Sequence, residues 1–326
     1  MKRLAVLAAA LVAALVASPA AHAEKIRVGY WSSGVSLGFG AVLQSGKFFE
    51  KEGLDAEFVT FPDVNAPTKA LAAGAIDFAI GAPAAASFSV AVDGLPLSIV
   101  LATQAAELDF VVPEDSPIQS LGDLKGKKVG GSPAGSATAA ITSAILATNY
   151  GVKPGEYEAV PGADPRLAQF LVQKDIDAAA LRTVTIALLK DAKLRKIGSF
   201  REEWAKITKQ DAPPVLGVGL IRNDWLKANP DAAAKVVVAM RKAYEFGKSD
   251  KEAVAKALVA AANMKDEDAR AYAALWDGIY AVRLEPADVA SLKTEFEVFK
   301  SVGAVKGDLP DSAIVTAPYE ASKTIK

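Results

Sequence analysis

Short apolar runs alternate with amphipathic segments along most of the chain. The spacing of Val42, Leu43, Phe48 and Phe49 is close to helical and predicts a helix over residues 38–51. Alternating or continuous apolar runs predict strands, and helical segments or glycine-containing turns follow most of them. The predicted strands are residues 26–30, 54–61, 76–80, 97–103, 108–112, 127–130, 176–181 and 215–221. Strands that alternate with helices in this way are typical of an α/β protein.

Residues 127–146 combine a short strand, a loop of small residues and a helix. The loop contains Gly130, Gly131 and Gly135, and the helix is predicted to begin near Ser136. The first N–H groups of a helix have no partner within it, so such a turn suits an anion or a strongly polar ligand group. An ordinary capped helix after a buried strand has the same pattern, and this stretch alone leaves both interpretations open.

An approximate internal repeat favours the binding interpretation. A strand, a turn and a helix begin near Val28, and an Ile-Asp pair follows at Ile76, 48 positions later. The same order begins near Val129, and a second Ile-Asp pair follows at Ile176, 47 positions later. The repeat predicts two similar α/β halves, each of which offers a strand-end loop to a shared cleft.

The first half supplies its candidate ligand contacts from two strand ends. Trp31, Ser32 and Ser33 are predicted to lie in the loop after the first strand. Tryptophan combines an apolar body with a polar N–H, which suits a cleft wall, although an aromatic at a strand end is also often a lid over the core. Gly81 and Ala82 follow the strand at residues 76–80, where either ligand contact or a simple tight turn explains them.

The second half supplies a charge. The strand at residues 176–181 ends at Arg182 and Thr183, which the repeat places at the cleft. A guanidinium there is suited to hold a sulfonate, carboxylate or phosphate through two hydrogen bonds, but a surface arginine paired with a nearby carboxylate is an equal alternative. Asp164 and Pro165 are predicted to be the cap and first-turn proline of a helix that runs through Val172.

The first 23 residues have the pattern of a secretory signal peptide. Lys2 and Arg3 precede an apolar run over residues 4–16, and Ala21-His22-Ala23 is a small-residue cleavage site. The run is shorter than the roughly 20 residues that a membrane-spanning helix needs. The chain has no cysteine, which excludes lipid attachment through an N-terminal Cys. We therefore expect an exported, periplasmic protein that begins at Glu24 and is not a lipoprotein.

Cleavage would leave a chain with neither histidine nor cysteine, because His22 is the single histidine. That composition excludes Ser-His-Asp and Cys-His catalysis, zinc sites built on Cys or His, and disulfides. Removing Lys2 and Arg3 lowers the 37 basic residues to 35 against 38 acidic ones, a net charge of −3. The basic residues do not cluster, so we expect no nucleic-acid partner, and the sequence suggests no catalytic residue, metal or cofactor.

The order of the elements predicts two lobes. Residues 24–103 together with residues 215–326 are assigned to the first, and residues 104–214 to an inserted second lobe. About 303 residues remain after cleavage, which is enough for two domains with substantial cores.

The chain from Glu24 onward resembles the solute-binding proteins of ABC importers for nitrate, sulfonates, taurine and thiamine-pyrimidine precursors. The segments that carry the resemblance are IRVGYWSSG, GKFFEKEGLDAEFV, ALAAGAIDFAIGAPA, SLGDLKGKKVGGSPAGSA and VGLIRNDWLKANPDAAAKVVVAM. The resemblance implies a type II periplasmic binding protein, with two α/β lobes built on mixed sheets flanked by helices, two crossovers, and a ligand gripped between the lobes. The implied contacts are Trp31, Ser32, Ser33, Gly81, Ala82, Gly135, Ser136, Ala137 and the region of Arg182 and Thr183.

One departure limits what the resemblance says about the ligand. Sulfonate-binding relatives commonly carry a tryptophan and then an acidic-proline pair after the Ile-Asp strand, whereas this chain has Leu181-Arg182-Thr183. An alkanesulfonate therefore does not carry over directly.

The leading hypothesis is a non-enzymatic receptor, expected to be monomeric, that delivers a small anionic organic solute to an ABC permease in the inner membrane. An enzyme on the same scaffold, similar to thiamine-pyrimidine synthases, is one alternative, although such chemistry is expected to need His and Cys. A protein that presents its ligand to a membrane sensor kinase is the other. The sequence does not separate delivery to a permease from delivery to a sensor.

Overall fold

The structure is a computed structural model that describes residues 23–189 and 192–325. The predicted signal peptide, apart from Ala23, therefore lies outside the described residues, as does His22.

Eleven strands occur in the described residues, and most follow the apolar runs of the sequence. In chain order they are β1 (Glu24–Trp31), β2 (Leu54–Phe61), β3 (Phe78–Pro83), β4 (Leu97–Ala105), β5 (Leu108–Pro113), β6 (Lys128–Gly131), β7 (Glu158–Pro161), β8 (Ala178–Arg182), β9 (Leu194–Ser199), β10 (Val215–Arg222) and β11 (Tyr280–Arg283).

The strands form two mixed sheets. The larger sheet has the order β11-β4-β10-β3-β1-β2, and the smaller has the order β7-β6-β8-β5-β9. Strand β1 runs parallel to β2 and β3, whereas β10 runs antiparallel to β3 and β4. In the smaller sheet β6 runs parallel to β7 and β8, and β5 runs antiparallel to β8 and β9. Strand β11 runs antiparallel to β4, so the larger sheet combines a parallel unit with two antiparallel strands, and the smaller sheet combines one with the antiparallel strand β5.

Helices flank both sheets and complete the layers. They are α1 (Gly34–Ser45), α2 (Phe48–Lys51), α3 (Ala66–Ala72), α4 (Ala84–Val92), α5 (Ala137–Tyr150), α6 (Asp164–Val172), α7 (Thr183–Leu188), α8 (Phe200–Thr208), α9 (Asn223–Ala228), α10 (Pro230–Ser249), α11 (Lys251–Ala262), α12 (Asp266–Ala274), α13 (Trp276–Ile279), α14 (Pro286–Ser301) and α15 (Ala317–Ser322). None of the helices in the described ranges is long and apolar enough to cross a membrane. Two mixed sheets flanked by helices confirm the predicted fold class.

Two predicted boundaries near the first strand are wrong. The helix expected over residues 38–51 is broken, because Lys47 adopts a positive φ of 50° between α1 and α2. Helix α1 also begins four residues early, at Gly34. Trp31 is consequently the last residue of β1 rather than part of a long loop.

The internal repeat is a repeated set of contacts between a first strand and an Ile-Asp pair. The Asp77 carboxylate accepts the N–H of Arg27 at 3.0 Å, and the Asp77 N–H donates to the Arg27 carbonyl at 2.8 Å. Asp177 exchanges the equivalent bonds with Lys128, at 2.7 and 2.9 Å. Each aspartate thus fixes the start of a parallel strand pair.

The isoleucines of the repeat explain two of its glycines. A Cβ at Gly29 would lie 2.3 Å from the Ile76 Cδ1, and a Cβ at Gly130 would lie 2.6 Å from the Ile176 Cδ1. Each isoleucine fills the space above the first strand of its half, so that strand has glycine at the point of contact.

Two short connections join the sheets. The chain leaves the larger sheet after Ala105 and returns to it at Val215, and the N–H of Ala106 donates to the carbonyl of Pro214 at 2.9 Å.

Glu295 of α14, which is buried, accepts the N–H of Val215 at 2.7 Å through Oε2. Its Oε1 has no described partner. Burial raises the pKa of Glu295 well above its ordinary value, and the Val215 N–H only partly offsets that effect.

We expect Gly130→Ala to destabilise the protein by about 1–3 kcal/mol, because its Cβ would overlap Ile176. Gly131→Ala is the matched control, since a Cβ there meets nothing within 4 Å. Ile176→Val removes the Cδ1 atom and should recover part of the loss in the double variant. Urea unfolding of the wild type, the two glycine variants and the double variant of Gly130→Ala with Ile176→Val tests this. Equal losses of stability in the two glycine variants would contradict it.

Glu295 should make stability fall as the pH rises. The pKa of Glu295 is higher in the folded than in the unfolded chain. At pH values above the ordinary pKa of 4.5, the folded state therefore binds more protons than the unfolded state. The free energy of unfolding consequently falls as the pH rises from 4.5 through the folded pKa. Glu295→Gln keeps an acceptor for Val215 and should flatten that decline in thermal unfolding. Glu297→Gln, at an exposed position of α14, should retain it. A Glu295→Gln profile parallel to the wild type would refute the assignment.

Candidate functional site

Five of the residues expected at the cleft line one cavity where the two sheets face each other. These are Trp31, Gly81, Ser136, Ala137 and Arg182. Trp31 ends β1, Gly81 lies in β3, Arg182 ends β8, and Ser136 precedes α5 as its N-cap. Strand ends and helix starts of both halves therefore meet at one place, as the repeat predicts.

The other five expected residues are neighbours of this cavity and are absent from its lining. The Ser32 hydroxyl is exposed and donates to the Phe61 carbonyl at 3.0 Å. Ser33 is the N-cap of α1, and Ala82 is buried in β3. Gly135 is exposed, and the N–H of Thr183 donates to the Glu107 carbonyl at 3.0 Å. The hydrogen bonds of Ser32 and Thr183 hold the chain beside Trp31 and Arg182, which do line the cavity.

Three helices begin at the cavity. Val35 and Ser36 of α1, Pro83 before α4, and Ala137 and Thr138 of α5 are part of the lining. The first-turn N–H groups of these helices have no partner within them, and each helix has its positive end there. The Ser136 hydroxyl accepts only one of these groups, the N–H of Ala139, at 3.2 Å. Such an arrangement favours a ligand group that accepts hydrogen bonds and carries negative charge.

Arg182 is buried at the cavity and paired with Asp164. The Arg182 Nη1 donates to the Asp164 Oδ1, and the Arg182 main-chain N–H donates to Oδ2 at 2.9 Å. The Thr185 hydroxyl donates to Oδ2 at 3.1 Å. Both charged residues are only 3% exposed. Arg182 is therefore not a surface arginine, although it is paired with a nearby carboxylate, as that alternative expects.

The expected cap role of Asp164 is wrong. Ala163 is the N-cap of α6, Asp164 is its first residue, and no side chain caps that end. The carboxylate binds Arg182 instead, because the buried guanidinium needs an opposite charge nearby. The neighbouring proline does lie in the first turn, as predicted.

Two donors at the cavity remain without a partner in the described structure. They are the Nε of Arg182 and the hydroxyl of Thr138, which is only 1% exposed. Buried polar groups almost always form hydrogen bonds, so two such groups beside one cavity indicate a place where a ligand oxygen fits. The Asp164 pair uses Nη1, which leaves the Nε side of the guanidinium for the ligand.

Because Gly81 has no side chain, the side chains of Gln104 and Ser36 have room beside the cavity. The Gln104 amide donates to the Ser36 hydroxyl at 3.1 Å, directly above Gly81. A Cβ at Gly81 would lie 2.1 Å from the Gln104 Nε2, and the φ of +66° also favours glycine. Gln104 and Ser36 are buried and add further polar groups to the lining.

The cavity is small, and the residues that line it are buried. Its volume is about 10 Å³, which is room for about one water molecule. The Arg182 Cζ lies 5.1 Å from the centre of the Trp31 ring, so the guanidinium of the smaller sheet rests against the larger. Asn65 donates to the Ala134 carbonyl across the cleft at 3.2 Å. Trp31 also borders an outer cavity of about 240 Å³, whose lining includes Pro62 and the prolines of the opposite sheet.

Two tyrosines hold the start of α1 in place behind the cleft. The Tyr280 hydroxyl donates to the Val35 carbonyl at 2.5 Å and lies 2.8 Å from the Tyr272 hydroxyl. Burial raises the pKa of both tyrosines well above their ordinary range, so they stay neutral donors.

Several lining residues were not among the expected contacts. They are Val35, Ser36, Val64, Pro83, Gln104, Thr138 and Leu216. Gln104 did carry a signal, because it is a polar residue that directly follows the apolar run at residues 97–103. Thr138 carried a weaker one as a hydroxyl in the first turn of a predicted helix. Asp164 carried no signal of a role at the site, because an aspartate followed by a proline has the pattern of a helix start.

A protein-family model shows which family the chain belongs to. A family model described as NMT1/THI5 like matches residues 41–254, more than half of the 326 residues. The chain belongs to the NMT1/THI5-like family. This confirms the resemblance drawn from the sequence segments.

Relatives of this NMT1/THI5-like chain include a Brucella abortus protein that is named, provisionally, as a binding protein. It is 29% identical over 196 residues, which are 59% of this chain and 58% of that protein. The match thus spans less than two thirds of the relative's length.

Solved structures place the NMT1/THI5-like chain among periplasmic binding folds. The alkanesulfonate-binding protein SsuA from Xanthomonas axonopodis pv. citri, bound to MOPS, has a TM-score of 0.74 and 17% identity, covering 91% of this chain and 100% of that one. The periplasmic aliphatic sulphonate binding protein SsuA from Escherichia coli has a TM-score of 0.70 and 19% identity, covering 88% and 90%. At these identities the likeness concerns the fold alone.

Proposed function

We propose that this protein is the periplasmic receptor of an ABC importer that binds a small anionic organic solute, sulfonate- or carboxylate-like, between two lobes. The observation that carries the proposal is the convergence of three helix N-termini on the Nε of Arg182 and the hydroxyl of Thr138. All of these groups are donors. An oxygen-rich anionic group satisfies several of them at once, whereas a cation could use only the hydroxyl oxygen of Thr138 and would be repelled by the guanidinium and the helix ends.

The lobes in this proposal are residues 24–103 with residues 215–326, and residues 104–214. The support is that strands β1–β4, β10 and β11 form one sheet and β5–β9 the other, with two connections between them. A cavity of about 10 Å³ is too small for an organic solute, which supports a separation of the lobes when the ligand enters. The segments at residues 103–106 and 212–214 are the expected hinges.

Delivery to a permease of the inner membrane follows from the same proposal, with export directed by a signal peptide over residues 1–23. The named relatives are binding proteins, two of them for sulfonates. A chain without histidine or cysteine after residue 23 also favours a receptor over an enzyme. We propose a monomer, since one chain supplies every wall of the cleft.

The ligand class is tested by calorimetry after a thermal-shift screen of sulfonates, carboxylates, nitrate and pyrimidines. Thr138→Val should weaken binding of the best anion at least about tenfold, because a hydrogen bond to a charged group is worth about 1.5–3 kcal/mol. Thr142→Val, one turn along α5, is the matched control, since its hydroxyl is also buried without a described partner but lies outside the cavity lining. Equal affinities in the two variants, or preference for a neutral compound, would contradict the proposal.

Closure is tested by small-angle scattering. The radius of gyration should fall when the ligand saturates, because the lobes rotate together about the two connections. An unchanged radius of gyration, with binding confirmed by calorimetry, would remove the hinge from the proposal.

A further inference from the structure

The charges at the cleft are unusual for a site that takes an anion. Among the described residues that line the inner and outer cavities, Arg182 is the cation and Asp63, which is exposed, is the anion. Asp164 neutralises Arg182 from behind. The buried part of the site therefore carries no net side-chain charge.

Asp164 is fixed in its position against the guanidinium. Its carboxylate accepts three hydrogen bonds, from the main-chain N–H and Nη1 of Arg182 and from the hydroxyl of Thr185. A carboxylate held by three donors cannot swing away when a ligand enters. Any anion on the Nε side of Arg182 must therefore share the guanidinium with Asp164.

The remaining positive field suffices for one negative charge. The three helix N-termini each contribute about half an elementary charge, and they act on whatever group occupies the cavity. A sulfonate or carboxylate brings one charge, whereas sulfate brings two and costs more to remove from water. In a closed, poorly solvated cavity, the second charge would meet Asp164 with no cation left to balance it.

We propose that Asp164 is a specificity-determining residue that restricts the cleft to monoanionic groups and excludes the sulfate dianion. The inference rests on the proposed function and makes it more specific. The receptor can then bind an organic monoanion in the presence of sulfate, a close mimic of a sulfonate head group. Removing the charge of Asp164, with its shape retained, should convert the cleft into a sulfate site.

The experiment titrates sodium sulfate into the wild type and Asp164→Asn by calorimetry, with sodium chloride at matched ionic strength as the blank. Calorimetry is chosen because sulfate stabilises folded proteins without binding a site. The wild type should show no saturable sulfate binding, and Asp164→Asn should bind sulfate saturably, at least about tenfold more tightly than the weakest binding that the wild-type titration could detect. Asp77→Asn is the matched control, since it also removes a carboxylate charge from arginines, Arg27 and Arg222, but outside the cleft, and it should gain no sulfate binding.

Each outcome decides the proposal. Saturable sulfate binding to the wild type would overturn it, and this measurement does not depend on whether the variant folds. A folded Asp164→Asn protein that gains no sulfate binding, or gains no more than Asp77→Asn, would also overturn it. If the variant gains sulfate binding while no organic monoanion binds the wild type, the charge balance stands and the proposed ligand class fails. If a monoanion binds and sulfate binding does not change, Asp164 alone is misassigned.

Discussion

The pairing of Arg182 with Asp164 is the interaction on which the arrangement of the cleft depends. A guanidinium that is 3% exposed needs an opposite charge to offset its loss of hydration, and breaking such a buried pair typically costs about 3–5 kcal/mol. The pair fixes the end of β8 against the start of α6. It also aims the guanidinium across the cleft at Trp31, so one ion pair sets both the charge and the closure of the site.

A second constraint gives the two halves their common geometry. In each half, an aspartate forms two hydrogen bonds with the main chain of the first strand, one through its carboxylate and one through its own N–H. The neighbouring isoleucine occupies the space above a glycine of that strand. These contacts set the register of the parallel strands, and the register decides where each strand ends. Because strand ends and helix starts form the cleft, the repeat brings donors from both halves to one cavity.

The kind of contact across the cleft bears on the movement that we propose. Some contacts across the cleft are polar or cation–π in kind, such as the bond from Asn65 to Ala134 and the contact of Arg182 with Trp31, although the two parts also share apolar packing elsewhere, such as Trp204 against Phe299. Polar and cation–π contacts are individually weak, so they can be exchanged for contacts with a ligand. The connections between the sheets are held through Glu295 and the bond from Ala106 to Pro214.

The sequence by itself determined the α/β class, most strands, and the meeting of Trp31, Gly81, Ser136 and Arg182. The class and the strands follow from local patterns, since apolar periodicity and small-residue turns act over a few neighbouring positions, and the meeting of the four residues follows from the internal repeat. Only the tertiary structure decided that Asp164 neutralises Arg182 and that Thr138 and Gln104 reach the cavity. The aspartate has the sequence pattern of a helix cap, and what it binds depends on β8 and α6 lying side by side. Pairing between side chains distant in sequence is set by packing, which a local pattern does not contain.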